Sequence, residues 1–196
     1  MTHRFSELTF TPAVKSMQMH FGSSERMQQL VERMPDFDQL GERESNFIAD
    51  RDSFYMSSIS ESGWPYIQHR GGEKGFLHVI SAKRIAFANF SGNAQYQSLG
   101  NINHNNKVSL FLVDYPNKRR LKILGRARTY FLNDLSTDLV AVFDKALSKK
   151  DSRVKIESVV EIELDAFDWN CPQHLTPRFS EAQLLELGLI KQGDIK

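Results

Sequence analysis

Arg119-Arg-Leu-Lys-Ile-Leu-Gly-Arg-Ala-Arg-Thr-Tyr-Phe131 alternates without a break. On an extended chain Leu121, Ile123, Gly125, Ala127, Thr129 and Phe131 share one face, and Lys122, Leu124, Arg126, Arg128 and Tyr130 the other. A period of two over this length describes a strand with one face on a core and one toward water, as in an antiparallel sheet. Before it, Val108–Val113 is a continuous apolar run, expected of a strand buried on both faces. After it, Arg153–Leu164 alternates again, with Val154, Ile156, Val160, Ile162 and Leu164 together.

Working further toward the N-terminus, Phe54–Ile59 and Tyr66–Arg70 read as strands across the turn cluster Ser60-Glu-Ser-Gly63. Phe76–Ile80 and Arg84–Asn89 form a second pair across Ser81-Ala-Lys83. Helices are short. Glu25–Met34 carries an apolar stripe of Met27, Leu30, Val31 and Met34 behind the capping serines Ser23 and Ser24, and Pro35 ends it. Gly41–Asp52 is a second, burying Phe47 and Ile48. Asn93–Asn101 and Asp134–Ser148 follow, the latter with Leu135, Leu139, Val142, Phe143 and Leu147 near one face. Ser180-Glu-Ala-Gln183 is a capping-box pattern that opens a last helix ending near Gly188. Residues up to Phe21 read as an extended arm. With no repeats or linkers, residues 1–196 are expected to form one α+β domain, mainly antiparallel β and built on a barrel, with short flanking helices and a C-terminal helix and tail over 180–196.

The chain has 196 residues, long enough to hide roughly 70% of its unfolded surface without staples. Lys plus Arg number 25 against 24 Asp plus Glu, a balance unlike that of polybasic or acidic disordered chains. A single cysteine, Cys171, cannot close an internal disulfide. With no signal-peptide pattern and no long apolar run, a soluble cytoplasmic protein without a membrane partner is expected.

Four segments could carry chemistry. Gln68-His-Arg-Gly-Gly-Glu-Lys-Gly75 places an amide, an imidazole and two cations, Arg70 and Lys74, at a strand end and glycine-rich loop, suited to an anion or equally to a solvated hairpin. Asn89-Phe-Ser-Gly-Asn93 offers Asn89, Ser91 and Asn93 at the entry to a helix, as anion ligands or as ordinary caps. Lys118–Arg128 holds six bases and no acid, with Arg120, Lys122, Arg126 and Arg128 on one side, an anion site or a solvated face. It lacks the aromatic interleaving of a single-strand binder, so nucleic acid is a minority reading. Cys171-Pro-Gln-His174 is at most half a zinc site, and no metal is expected.

In order and spacing, Trp64–Phe76, Phe90-Ser-Gly-Asn93, Ser98-Leu-Gly-Asn101, Val108–Asp114, Arg120–Ala127 and Trp169-Asn-Cys-Pro-Gln-His174 resemble the flavin-binding family related to pyridoxamine 5′-phosphate oxidase. The resemblance runs from about Phe47 to Phe179. It implies a split β-barrel homodimer with FMN in two clefts at the subunit interface. By position, Gln68, His69 and Arg70 would line the flavin, and Asn89, Ser91 and Asn93 would lie near the ribityl chain and phosphate. Arg120 would reach the cleft from the partner's side, with Lys122 assisting. The Trp169–His174 loop and Arg178 resemble the segment that closes the cleft. Ala94 stands where many members of this branch have Arg, so phosphate charge would come from Arg70, Lys74 or Arg120. The Arg–Lys pair and C-terminal motif of the vitamin-converting oxidases are missing, and that activity is not expected. The resemblance implies an FMN-dependent oxidoreductase of unknown small-molecule substrate, with His69 as the best proton relay. The alternative is a non-catalytic FMN-binding or stress-response module.

Overall fold

The computed structural model describes residues 3–147 and 155–191. Seven strands, β1 (Ser53–Ile59), β2 (Pro65–Gly71), β3 (Leu77–Ser81), β4 (Arg84–Phe90), β5 (Lys107–Asp114), β6 (Arg119–Phe131) and β7 (Ile156–Trp169), form one antiparallel sheet in the order β2-β1-β5-β6-β7-β4-β3. β6 is the strand the alternation marks. Leu121 and Ile123 are fully buried, while Arg126 and Arg128 face water. At Gly125 the register with β7 slips, and a Cβ there would stand 2.5 Å from the Glu163 carbonyl oxygen. Glycine is what lets the two strands approach at this bulge.

The sheet curls until its ends meet without pairing. Phe54 of β1 packs edge-on against Phe87 of β4 at 5.3 Å, and Arg70 of β2 donates to Asn89 Oδ1 of β4 at 3.1 Å. Since β2 is one edge and β4 adjoins the other, this is a split β-barrel in an α+β fold. Its interior is filled by Phe54, Met56, Phe87, Leu110, Leu112, Leu121, Ile123 and Phe167.

β5 differs from expectation. Val108, Leu110, Leu112 and Asp114 are buried, but Ser109, Phe111 and Val113 are only half covered. A strand between β1 and β6 has one face in the barrel, and the other is covered only in part, with Phe111 and Val113 beside Arg178, Phe179 and Ser180. Tyr55, Ile59 and Ile67 on the neighbouring strands are exposed as well.

Among the described residues, seven α-helices flank the sheet. α1 (Arg4–Thr9) and α2 (Pro12–His20) replace the extended arm expected before Phe21. Ser6 N–H donates to His3 Nδ1 and Val14 N–H to Thr11 Oγ1, capping the two helices, and Pro12 occupies a position where no N–H is needed. α3 (Ser24–Arg33) matches its expected span, but Ser23 makes no side-chain cap and the helix buries nothing fully. Its stripe faces α2 across a groove lined by Phe10, Met19, Met27 and Val31. α4 (Glu42–Ala49) buries Phe47 and Ile48 as expected.

α5 (Gln97–His104) begins later than expected, because Ala94 and Tyr96 adopt left-handed φ of 57° and 47°. α6 (Thr137–Leu147) buries Leu139 and Phe143 against β3, β4 and β7. α7 (Glu181–Glu186) has the capping box, with Ser180 and Gln183 exchanging bonds of 2.8 and 3.3 Å, and Gly188 follows at φ 67°. Met1, Ser148 of the expected helix, Arg153 and Val154 of the expected strand and residues 192–196 of the tail lie outside the described residues. Among those described, no helix is long and apolar enough to cross a membrane.

His78 of β3 packs edge-on against Phe143 of α6 at 4.9 Å, and burial pushes its pKa below the ordinary 6.5. The unfolded chain therefore takes up this proton first. The contribution to stability is complete above pH 6.5 and is lost as pH falls through the lowered native value. Urea midpoints should drop between pH 8 and 5.5 in the wild type and drop less in His78→Leu. Buried His3, also lowered by desolvation, acts in the same direction.

Candidate functional site

Where the barrel fails to close, β2 and β4 leave a pocket of about 220 Å³. Period two on β2 turns Tyr66, Gln68 and Arg70 toward it and Ile67 and His69 away. Arg70 donates to Asn89 Oδ1, its guanidinium lies 5.8 Å from the Phe87 ring centroid, and its Nε is buried with no partner. It forms no ion pair among the described residues. Burial pushes its pKa down from the ordinary guanidinium value, with Tyr66 acting weakly against this. The side chain nevertheless stays charged, since guanidinium does not deprotonate in proteins.

Gln68 accepts from Ser98 Oγ at 2.9 Å and Asn101 Nδ2 donates to Ser58 Oγ at 3.0 Å, so α5 closes one end of the seam. The strap 91–96 closes another side. Ser91 and Lys155 exchange backbone and hydroxyl bonds at 2.7 and 3.2 Å, Gln95 N–H donates to Asn93 Oδ1, and the Tyr96 hydroxyl donates to Glu157 Oε1 at 3.3 Å. Two left-handed non-glycine residues in six are strained backbone, a feature concentrated at ligand sites.

Gln68, Arg70, Asn89 and Asn93 thus converge on one pocket, with Ser91 in its strap but bonded to Lys155. The other expected residues lie elsewhere in the chain. His69 packs its ring against Tyr55 at 5.5 Å on the opposite face of β2. Lys74 pairs with Asp50 at 2.7 Å, and Lys122 with Asp168 at 2.8 Å. Arg120 donates to the carbonyl oxygens of Cys171 and Gln173, pinning the loop that follows Trp169. Trp169 is itself fixed by donation to the buried Glu44 and by Arg43 and Arg119 against its ring. The helix expected from Asn93 begins at Gln97, so the strap enters the pocket as irregular backbone and the first turn of α5, Gln97–Leu99, lines it further along.

The basic face of β6 is matched by acids of β7. Lys122 lies opposite Asp168, Arg126 opposite Glu163 and beside Asp165 at 3.3 Å, and Arg128 opposite Glu161. Tyr66, Gln95, Tyr96, Ser98 and Glu157 also line the pocket and were not among the expected ligand residues. Tyr66 was accessible from its spacing with Gln68 and Arg70. Glu157 carried no local signal.

An open antiparallel barrel whose ends meet without pairing is a split barrel. A family model described as pyridoxamine 5′-phosphate oxidase matches residues 40–169, from the approach to α4 to the end of β7, and the chain belongs to that family. Among solved structures, a candidate pyridoxamine 5′-phosphate oxidase from Lactobacillus delbrueckii is similar at 16% identity and TM-score 0.50, covering 67% of this chain and 94% of that one. HupZ from group A Streptococcus is similar at 14% identity and TM-score 0.51, covering 71% and 100%. At these identities the likeness is one of fold. No curated protein matches the chain.

Proposed function

We propose that this protein binds FMN in the β2–β4 seam, at the interface of a homodimer, and acts as an oxidoreductase through it. One observation carries the reading. Arg70 holds a charged guanidinium with a buried, unpartnered Nε, one hydrogen bond to a neutral amide and no ion pair among the described residues. A partly desolvated cation without an ion-pair partner favours an anion that answers it. A phosphate does so with strong, charge-assisted bonds. Asn89 fixes the guanidinium, while Gln68, Asn93 and Gln95 supply neutral partners along the pocket.

The size of the pocket supports a shared site. At about 220 Å³ it falls below the roughly 300–1,000 Å³ of pockets that enclose small molecules. Exposed Tyr55, Ile59 and Ile67 with half-covered Phe111 and Val113 form an apolar outer face. A second copy seated on it would bury these side chains. Bound flavin would supply the two-electron chemistry. The protein's own part is to fix the phosphate end, exclude water and orient the loop after Trp169.

Arg120 acts in this reading by holding that loop. Arg120→Ala should raise amide exchange across residues 170–174 and weaken FMN retention by roughly tenfold, whereas Arg128→Ala leaves both unchanged. Equal effects in the two variants would remove Arg120 from the site. The reading as a whole is tested by reconstitution with FMN. Bound oxidised flavin absorbs at about 450 nm, and bleaching by NADH or NADPH with repeated turnover on an acceptor shows an enzyme. Binding without turnover leaves a flavin-binding module, and no binding sinks both.

A further inference from the structure

Glu157 places a carboxylate in the same pocket as Arg70. Its Oε1 accepts from the Tyr96 hydroxyl, and its Oε2 is buried with no partner among the described residues. A buried carboxylate oxygen can only accept, so the group that completes it must be a donor. A phosphate or a ring carbonyl at that point would set acceptor against acceptor. Arg70 Nε, the other buried orphan of the pocket, can only donate and calls for an anion. Gln68, Asn89, Asn93 and Gln95, which take either role, make up much of the remaining lining. The pocket therefore suits a chain of hydroxyls with a single anionic end.

We infer that Glu157 is a specificity-determining residue that accepts a hydrogen bond from a hydroxyl of the ligand's polyol chain. The inference rests on the flavin reading and deepens it, because it makes the hydroxylated chain, and not only the ring and phosphate, a condition of binding. Tyr96 serves as a positioning residue. Its left-handed backbone brings the phenol to Glu157 Oε1 and leaves Oε2 for the ligand.

The test compares FMN with an analogue carrying an unhydroxylated 5-phosphopentyl chain, by quenching of flavin fluorescence in wild type, Glu157→Gln and Glu157→Leu. The wild type should bind the analogue about tenfold or more weakly than FMN. Glu157→Leu should lose about tenfold for FMN and nothing for the analogue, and Glu157→Gln, whose amide oxygen still accepts, should recover most of the loss. Equal losses for the two ligands, or wild-type affinity of Glu157→Leu for FMN, would overturn the assignment while leaving the flavin reading intact. A wild type that binds neither ligand would overturn the flavin reading and this inference with it.

Discussion

Arg70→Met should lose FMN by roughly 100-fold, equivalent to about 3 kcal/mol, and yet unfold at the same urea concentration as the wild type or a higher one. The two effects have one cause. In the absence of a ligand the guanidinium is partly desolvated, holds one bond to Asn89 and forms no ion pair among the described residues. Replacing such a charge by an apolar chain of similar length is often neutral or stabilising. With a phosphate present, the same guanidinium makes charge-assisted bonds that Met cannot. Arg70→Lys should fall between the two, keeping a charge but losing the planar fork. If Arg70 instead served to tie β2 to β4, Arg70→Met would lower stability, and flavin loss would only follow from unfolding. Titration and unfolding measured on the same preparation separate these results.

The largest effect on stability is expected at Asp114→Ala. Arg51 donates from Nε to the Phe47 carbonyl, from one amino nitrogen to the Val113 carbonyl and from the other to Asp114 Oδ2, over the ring of Phe47 at 4.6 Å. Side-chain exposures of 15% and 6% make this a buried pair. Asp114 also accepts from the backbone and side-chain nitrogens of Asn117, which shapes the turn between β5 and β6. Removing the carboxylate strands Arg51 where α4 meets the barrel. The expected loss is about 3 kcal/mol, or roughly 10 °C in Tm. A loss below about 1 kcal/mol would mean that water reaches Arg51 and the pair behaves as a surface ion pair.

The barrel was legible wherever burial imposes a period on the residues. β6 and the β1–β2 hairpin stand where alternation and the turn cluster place them. The N-terminal helices were missed because α2 buries no residue, so no stripe records it. Its only marks were local, Thr11 before Pro12 as cap and first turn. The late start of α5 depends on Ala94 and Tyr96 in left-handed conformations that neither residue type favours, and no propensity argument reaches them.

The site was half legible for a related reason. A family resemblance names neighbours in sequence, such as Gln68, His69 and Arg70, but the pleat sends His69 to the opposite face. Lys74 and Lys122 looked like free cations because Asp50 and Asp168, which hold them, come from other parts of the chain. Glu157 enters the pocket only through the pairing of β7 with β4, a contact between distant segments that no short motif encodes. The basic run of β6 is balanced in the same way, as Lys122, Arg126 and Arg128 answer Asp168, Glu163 and Glu161 of β7 across the ladder.

The central claim is that the unclosed seam between β2 and β4 holds the anionic end of a flavin. A crystal structure of the protein grown with FMN tests it most directly. The account predicts density for one flavin per seam, with phosphate oxygens within hydrogen-bond distance of the Arg70 guanidinium. Flavin bound elsewhere with Arg70 still unpartnered, or a seam filled by the protein's own side chains, would contradict it.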